Sequence, residues 1–217
     1  MNQLFKVIFV YKILKANFLI FYPYIFMDID DVIKSRRSVR KYALDKKGNP
    51  EKVDLRKIFE IIDAARYAPM AGGIFSLKFI LVLDREKIKK IAELAEQEFI
   101  ADAFAIVVVC SDEKQTKRFY EERGERYLRQ QAGAAIQNIL LKATSEGLAT
   151  VWVGHFYDRG LKELLSIPEE IFVEAIIPIS KPYPNLKLRE KFLPSLKDIL
   201  YFDKWKGKAI KEKILRE

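Results

Sequence analysis

The sequence is short of the residues that build metal centres and disulfide frameworks: it has one cysteine, Cys110, and one histidine, His155, in 217 residues. A lone cysteine excludes an intramolecular disulfide and a cysteine-based zinc site. A lone histidine removes the His-rich metal centres and weighs against a Ser-His triad, so no metal site is expected. Glycine and proline are scarce, at 9 and 8 residues, while half the chain is hydrophobic; this is a globular composition, not a disordered one. No G-x-G-x-x-G follows a strand-like run, which excludes a Rossmann dinucleotide site. Long apolar runs are missing too. In the first 26 residues the longest uncharged stretch, Ala16–Phe26, has 11 residues, against about 20 for a membrane helix. No small-residue cleavage site follows it, so it does not read as a signal peptide. The chain reads as cytoplasmic and independent of the membrane.

Charge of one sign is in excess, at +9, but it is badly placed for nucleic acid. The first 27 residues hold three lysines and no acid, and the last fourteen hold six Lys/Arg against two Glu, leaving +2 for the body. A nucleic-acid face needs clustered charge on the folded domain, so that partner is not expected. Three regions emerge: an apolar leader over 1–27, a domain over 28–200 and a basic tail over 201–217. Met27 reads as the start of the domain, with the leader an upstream extension; the alternative is a membrane-surface anchor.

Periodicity within the domain alternates between helix and strand. Asp28–Arg36 has apolar residues at helical spacing behind an acidic front, and Val53–Tyr67 is a strongly amphipathic helix stopped by "APMAGG". Leu77–Leu83 is a strand, Arg85–Phe99 a helix, and "AFAIVVVC", ending at Cys110, a buried strand. Gln115–Glu146 is a long helical stretch with a break expected near Gly124 or Gly133, capped by Gly147. Leu148–Phe156 is a strand, Arg159–Ile167 a short helix and Ile171–Ile179 a last strand. The class is α+β, a central sheet covered by helices.

Chemistry concentrates in "RRSVRKY", Arg36–Tyr42, with four cations and a serine in seven residues. A phosphate without a Gly-rich loop needs converging cations, and arginine supplies a planar donor fork. The competing reading is a helix C-terminus whose solvated arginines compensate the dipole.

Four segments in order, "SRRSVRKY", "AARYAPMAGG", "QNILLKATSEGLATVWVG" and "IIPISKPYP", resemble the nitroreductase family of FMN-dependent oxidoreductases. The resemblance runs from Asp28 to Lys187–Leu188–Arg189. It implies a mixed, mainly antiparallel central sheet covered by helices, in a homodimer with each flavin between two chains. The helix carrying "QQAGAAIQNILL" would build that dimer. It implies FMN as cofactor and NADH or NADPH as reductant, with electrons passing to a small organic acceptor.

The same resemblance assigns residues. Arg36, Lys187 and Arg189 fall to the FMN phosphate, Ser38 to the phosphate or ribityl chain, and Arg37 is counted with the cofactor-binding residues. Arg40 falls beside the pyrimidine end of the flavin, where a fixed positive charge favours the reduced, anionic ring. Pro69, Met70, Ala71, Gly72 and Gly73 would lie along the ring by their backbone; Val153, Gly154 and His155 would face its reactive edge. His155 is a candidate proton donor, although a lone histidine at a strand end is also a common structural residue. The loop departs from the family's common A-P-S-x-x-N-x-Q-P-W-x-F. Met70, Gly73, Phe75, Ser76 and Leu77 stand for Ser, Asn, Gln, Pro and Trp, so the Asn side-chain contact is lost. The stretch is closer to the P-S-A-G-G branch of azoline-oxidising dehydrogenases. A dehydrogenase returning electrons to another acceptor, or a flavin-binding protein without turnover, therefore remain as alternatives.

Overall fold

A computed structural model of the chain describes residues 28–188 and 190–207. The apolar leader and Arg189 lie outside the described residues. The described residues up to Leu186 form one compact unit, and those from Lys187 to Gly207 a second. The second unit contains a single turn of helix, Leu196–Ile199, and an edge-on Tyr201–Trp205 ring pair 5.0 Å apart.

Helix starts follow the aspartates. α1 (Ile29–Ser35) is capped by Asp28, α2 (Leu55–Asp63) by Asp54, and α3 (Arg85–Leu94) by Asp84, each carboxylate accepting a backbone N–H of the first turn. The expected helix over 53–67 is shorter than its periodicity suggests. It tightens into a 3-10 turn at Ala64–Tyr67, and Ala68, before Pro69, is already extended at ψ 146°. Likewise α3 ends at Leu94, and a second 3-10 turn at Glu98–Asp102 follows Glu96, which sits at φ +52°.

Four strands form one sheet in the order β1-β2-β4-β3: β1 (Leu77–Val82), β2 (Ala105–Asp112), β3 (Ala149–Thr150) and β4 (Ile171–Ser180). Among the described residues every pairing is antiparallel, in keeping with the mainly antiparallel sheet expected. β2 is buried on both faces, which is why it reads as an unbroken apolar run. Ala105, Val107 and Val109 pack with α2 and the long helix α5 (Glu122–Ser145). Ile106, Val108 and Cys110 pack on the opposite face with α3 and α6 (Asp158–Leu165). The result is three layers, helices on both faces of the sheet.

The strand expected over 148–156 shrinks to two residues, for a reason visible in its partner. Ala149↔Ser180 and Thr150↔Ile179 are paired, and the same register resumes only at Val153↔Ile176. Between them Val151 faces Pro178, which has no N–H to donate, and the ladder lapses there.

The long helical stretch breaks at Glu121, not at a glycine. α4 (Glu113–Tyr120) ends there with Glu121 at φ +51°, ψ −130°. Gly133 lies inside continuous α5. Gly124 has another use: a Cβ on it would stand 2.6 Å from the Thr116 carbonyl oxygen, so only glycine lets the first turn of α5 lie on α4. At the other end Gly147 (φ +69°) donates to Thr144 O and Leu148 to Ala143 O, a paired C-terminal cap of the expected kind.

Candidate functional site

The cation segment leaves the end of α1 and runs along the β3–β4 side of the sheet. Val39 N–H donates to Thr150 O at 3.0 Å, Ala43 N–H to Lys181 O at 3.0 Å, and Tyr42 bridges Pro182. Val39 and Tyr42 point inward, while Ser38, Arg40 and Lys41 are exposed. The arginines part company. Arg37 donates from Nη1 to the Lys34 and Arg36 carbonyls, which satisfies the C-terminus of α1 as the helix-end reading requires. Arg36 is half-buried and has no ion pair or side-chain hydrogen bond among the described residues. Arg40 lies 6.0 Å from the Phe99 ring centroid. Tyr42 meets the same ring edge-on at 6.2 Å, and burial raises its phenol above the ordinary value.

The second segment is the turn after Pro69. Pro69 and Met70 are exposed, Ala71 is half-buried, and Gly72 and Gly73 both have positive φ, at +57° and +72°. Non-glycine residues adopt that conformation only at a cost. The two glycines differ in surroundings. Space around Gly73 is open, whereas a Cβ on Gly72 would stand 2.4 Å from the Tyr120 hydroxyl. The turn is anchored behind by Gln131 of α5, which receives Ser76 N–H at 3.2 Å and donates to Ile74 O at 3.0 Å.

The third segment follows β3. Val153 exchanges two backbone hydrogen bonds with Ile176, each 3.0 Å, and is buried. Its N–H is therefore engaged in the sheet and is not available as a donor to a flavin. Gly154 is exposed with open space around its α-carbon. His155 is exposed, with Nε2 3.7 Å from Glu96 Oε2. Trp152 points toward Gly133 of α5, 3.9 Å from where a Cβ would sit.

Two elements hold these pieces near one another. The stretch Leu94–Phe99 touches both Arg40, through Phe99, and His155, through Glu96, and accepts Tyr157 N–H at Leu94 O. α5 carries the Gln131 anchor of the glycine turn and, two residues on, Gly133 beneath Trp152. Lys187 belongs to the second unit and Arg189 lies outside the described residues. Two cavities lie elsewhere. One of about 420 Å³ is lined by residues such as Val53, Lys57, Glu146 and Lys181, and one of about 510 Å³ by Glu122, Glu125, Arg126, Arg129 and Gln130. Neither of these two includes a candidate residue. Among the described residues no group of three or more His, Cys, Asp or Glu is placed to hold a metal. No described helix is long and apolar enough to cross a membrane.

An FMN suits these residues in three respects. Arg36 is a cation without a protein counter-charge among the described residues. Gly73 leaves room for a flat ring against the backbone, and Gly154 leaves room at an exposed strand end.

A model of the nitroreductase family matches residues 33–104 and 91–181. The chain belongs to the nitroreductase family. It is 35% identical over 184 residues to a Methanothermobacter thermautotrophicus protein named for NADH dehydrogenase/NAD(P)H nitroreductase, covering 82% of this chain and 88% of the relative. It is 30% identical to the FMN reductase (NAD(P)H) of Bacillus subtilis, covering 71% of this chain and 67% of that one. Among solved structures it is similar to a nitroreductase family protein of Clostridium novyi, with TM-score 0.65, 26% identity and coverage of 84% and 97%. These relatives group the nitroreductase-family chain with NAD(P)H oxidoreductases. Sequence reasoning missed Glu96, Phe99 and Tyr120. Each reaches the site from a helix end or turn remote in sequence, and only the packing brings it there.

Proposed function

We propose that this protein is an FMN-dependent NAD(P)H oxidoreductase of the cytoplasm that reduces a small organic acceptor and works as a homodimer. The observation that carries the reading is the open, left-handed Gly73 together with the unpaired Arg36, inside a chain of the nitroreductase family. The name of the Bacillus subtilis relative, an FMN reductase, supports the flavin. The chemistry supplied by a bound FMN is two-electron transfer, hydride in from NAD(P)H and electrons out to the acceptor.

The chain's own residues hold and tune. Arg36 neutralises the phosphate, a role that the family pattern also gives to Lys187 and Arg189, and Ser38 donates beside it. Arg40 places a fixed positive charge where negative charge grows on reduction. The backbone from Pro69 to Gly73 lies along the ring, and Gly154 with His155 borders its reactive edge, His155 serving as proton donor to the acceptor. The homodimer follows the family pattern, in which each flavin lies between two chains and the second copy excludes water from the ring. A dehydrogenase of the azoline-oxidising type is the second reading, favoured by the Gly72–Gly73 pair.

The test is direct. Purified protein should be yellow, release FMN and not FAD on denaturation, and bleach within seconds of anaerobic mixing with NADH or NADPH. Bound FMN that neither nucleotide reduces points to the dehydrogenase; no FMN after reconstitution overturns both readings.

A further inference from the structure

Gly72 and Gly73 leave the ring-facing turn without a polar side chain, yet a hydroxyl is delivered to it from another element. Tyr120, the last residue of α4, places its Oη 2.4 Å from the position a Gly72 Cβ would take. That hydroxyl makes no hydrogen bond among the described residues. Gly73, the next residue, is the open one. We infer that Tyr120 is a cofactor-contacting residue whose hydroxyl hydrogen-bonds the flavin ring beside Gly73, in the role the loop's own side chains have lost. The inference rests on the FMN reading.

Its placement is held from several directions. The Tyr120 ring stands edge-on to Tyr127 of α5 with centroids 5.2 Å apart. Thr116, one turn earlier on α4, shares a buried 3.0 Å hydrogen bond with Ser76 at the far end of the loop. Gly124 lets α5 lie on the α4 backbone, and Glu121 takes up the turn between the helices in a conformation unfavourable for a non-glycine residue. A tyrosine fixed by two helices and left with a free hydroxyl beside the open glycine of this turn has the form of a built donor.

The experiment is FMN titration of the apoprotein, wild type against Tyr120→Phe, with the visible absorption of the bound flavin and the thermal midpoint of each apoprotein. Phenylalanine keeps the ring and its contact with Tyr127. The expected result is a roughly two- to tenfold weaker FMN affinity, the range of one neutral hydrogen bond, a shifted flavin absorption band and an unchanged apoprotein midpoint. Gly72→Ala, which displaces the hydroxyl, should give the same spectral shift. Wild-type binding with unchanged affinity and spectrum in Tyr120→Phe overturns the inference alone. Loss of affinity that merely follows a lower apoprotein midpoint, without a spectral change, also overturns it. A wild-type protein that takes up no FMN overturns the functional reading and the inference with it.

Discussion

Val39 donates its backbone N–H to the Thr150 carbonyl at 3.0 Å, and this bond sets the cation segment beside the short strand that leads to Gly154 and His155. Extended backbone alternates its side chains, so burying Val39 sends Ser38 and Arg40 to the outside. One residue of slippage would bury a charge instead. The placement of Arg40 thus follows from the burial of its apolar neighbour, while Tyr42, buried three residues after Val39, departs from strict alternation and packs on Phe99.

Cys110 should be inert in the native protein. Burial pushes its thiol up to about 11, so at pH 8 only about one thiol in a thousand is ionised. A thiol reagent at pH 8 should label the native chain negligibly over an hour and label one site per chain in denaturant. Rapid native labelling would show the β2 face to be open.

Arg129 should matter for stability out of proportion to its exposure. It pairs with Glu113 at 3.0 Å and with Glu174, whose side chains are only 8% and 11% exposed. Arg129→Met leaves Glu113 to Lys117 and Glu174 to the Ser111 hydroxyl alone, and we expect a loss of about 1–3 kcal/mol by denaturant unfolding. The double change with Glu174→Gln should recover part of it.

Much of the fold was legible because its signals are local. Aspartate caps, the two-faced burial of Ala105–Asp112 and the Gly147 stop each depend on residues close in sequence. The failures depend on partners elsewhere. The strand over 148–156 stops because Pro178, nearly thirty residues on, cannot donate, and that is invisible within the strand itself. The α4–α5 break falls at Glu121 because Gly124 is used for helix contact, so the glycine marked the neighbourhood and not the position. At the candidate site the glycine turn and the cations were readable as residue types. That Arg37 caps a helix, that Val153 spends its N–H on Ile176, and that Tyr120 covers Gly72 were not.

Glu146 should contribute stability that acid removes. Burial alone pushes its carboxyl up, but hydrogen bonds from Lys142 at 2.6 Å and Lys57 at 3.1 Å outweigh it and leave the group below its ordinary 4.5. A carboxyl depressed on folding stabilises the native state fully above its unfolded value and loses that contribution as pH falls through the folded one. Glu146→Gln should therefore cost about 1 kcal/mol at pH 7, with the gap to wild type closing below about pH 4. A gap that stays constant with pH would assign the loss to packing and not to charge.

The three arginines of the cation segment should separate by experiment. Arg36→Ala removes an unpaired, half-buried cation proposed for the FMN phosphate, and a phosphate binds alike in both redox states. Losing one charge-assisted contact should weaken oxidised and reduced FMN equally, by about ten- to a hundredfold. Arg40→Ala should leave oxidised FMN nearly as before and lower the flavin midpoint potential, by roughly tens of millivolts, since its charge is matched to the reduced ring. Arg37→Ala should do neither. Its guanidinium is spent on the Lys34 and Arg36 carbonyls, so its loss should appear as a small drop in thermal stability from an uncapped α1. Titrating each variant with FMN and measuring its midpoint potential distinguishes the roles. Equal and small effects from all three would show the cluster to be solvated charge, and the phosphate site would have to be sought elsewhere.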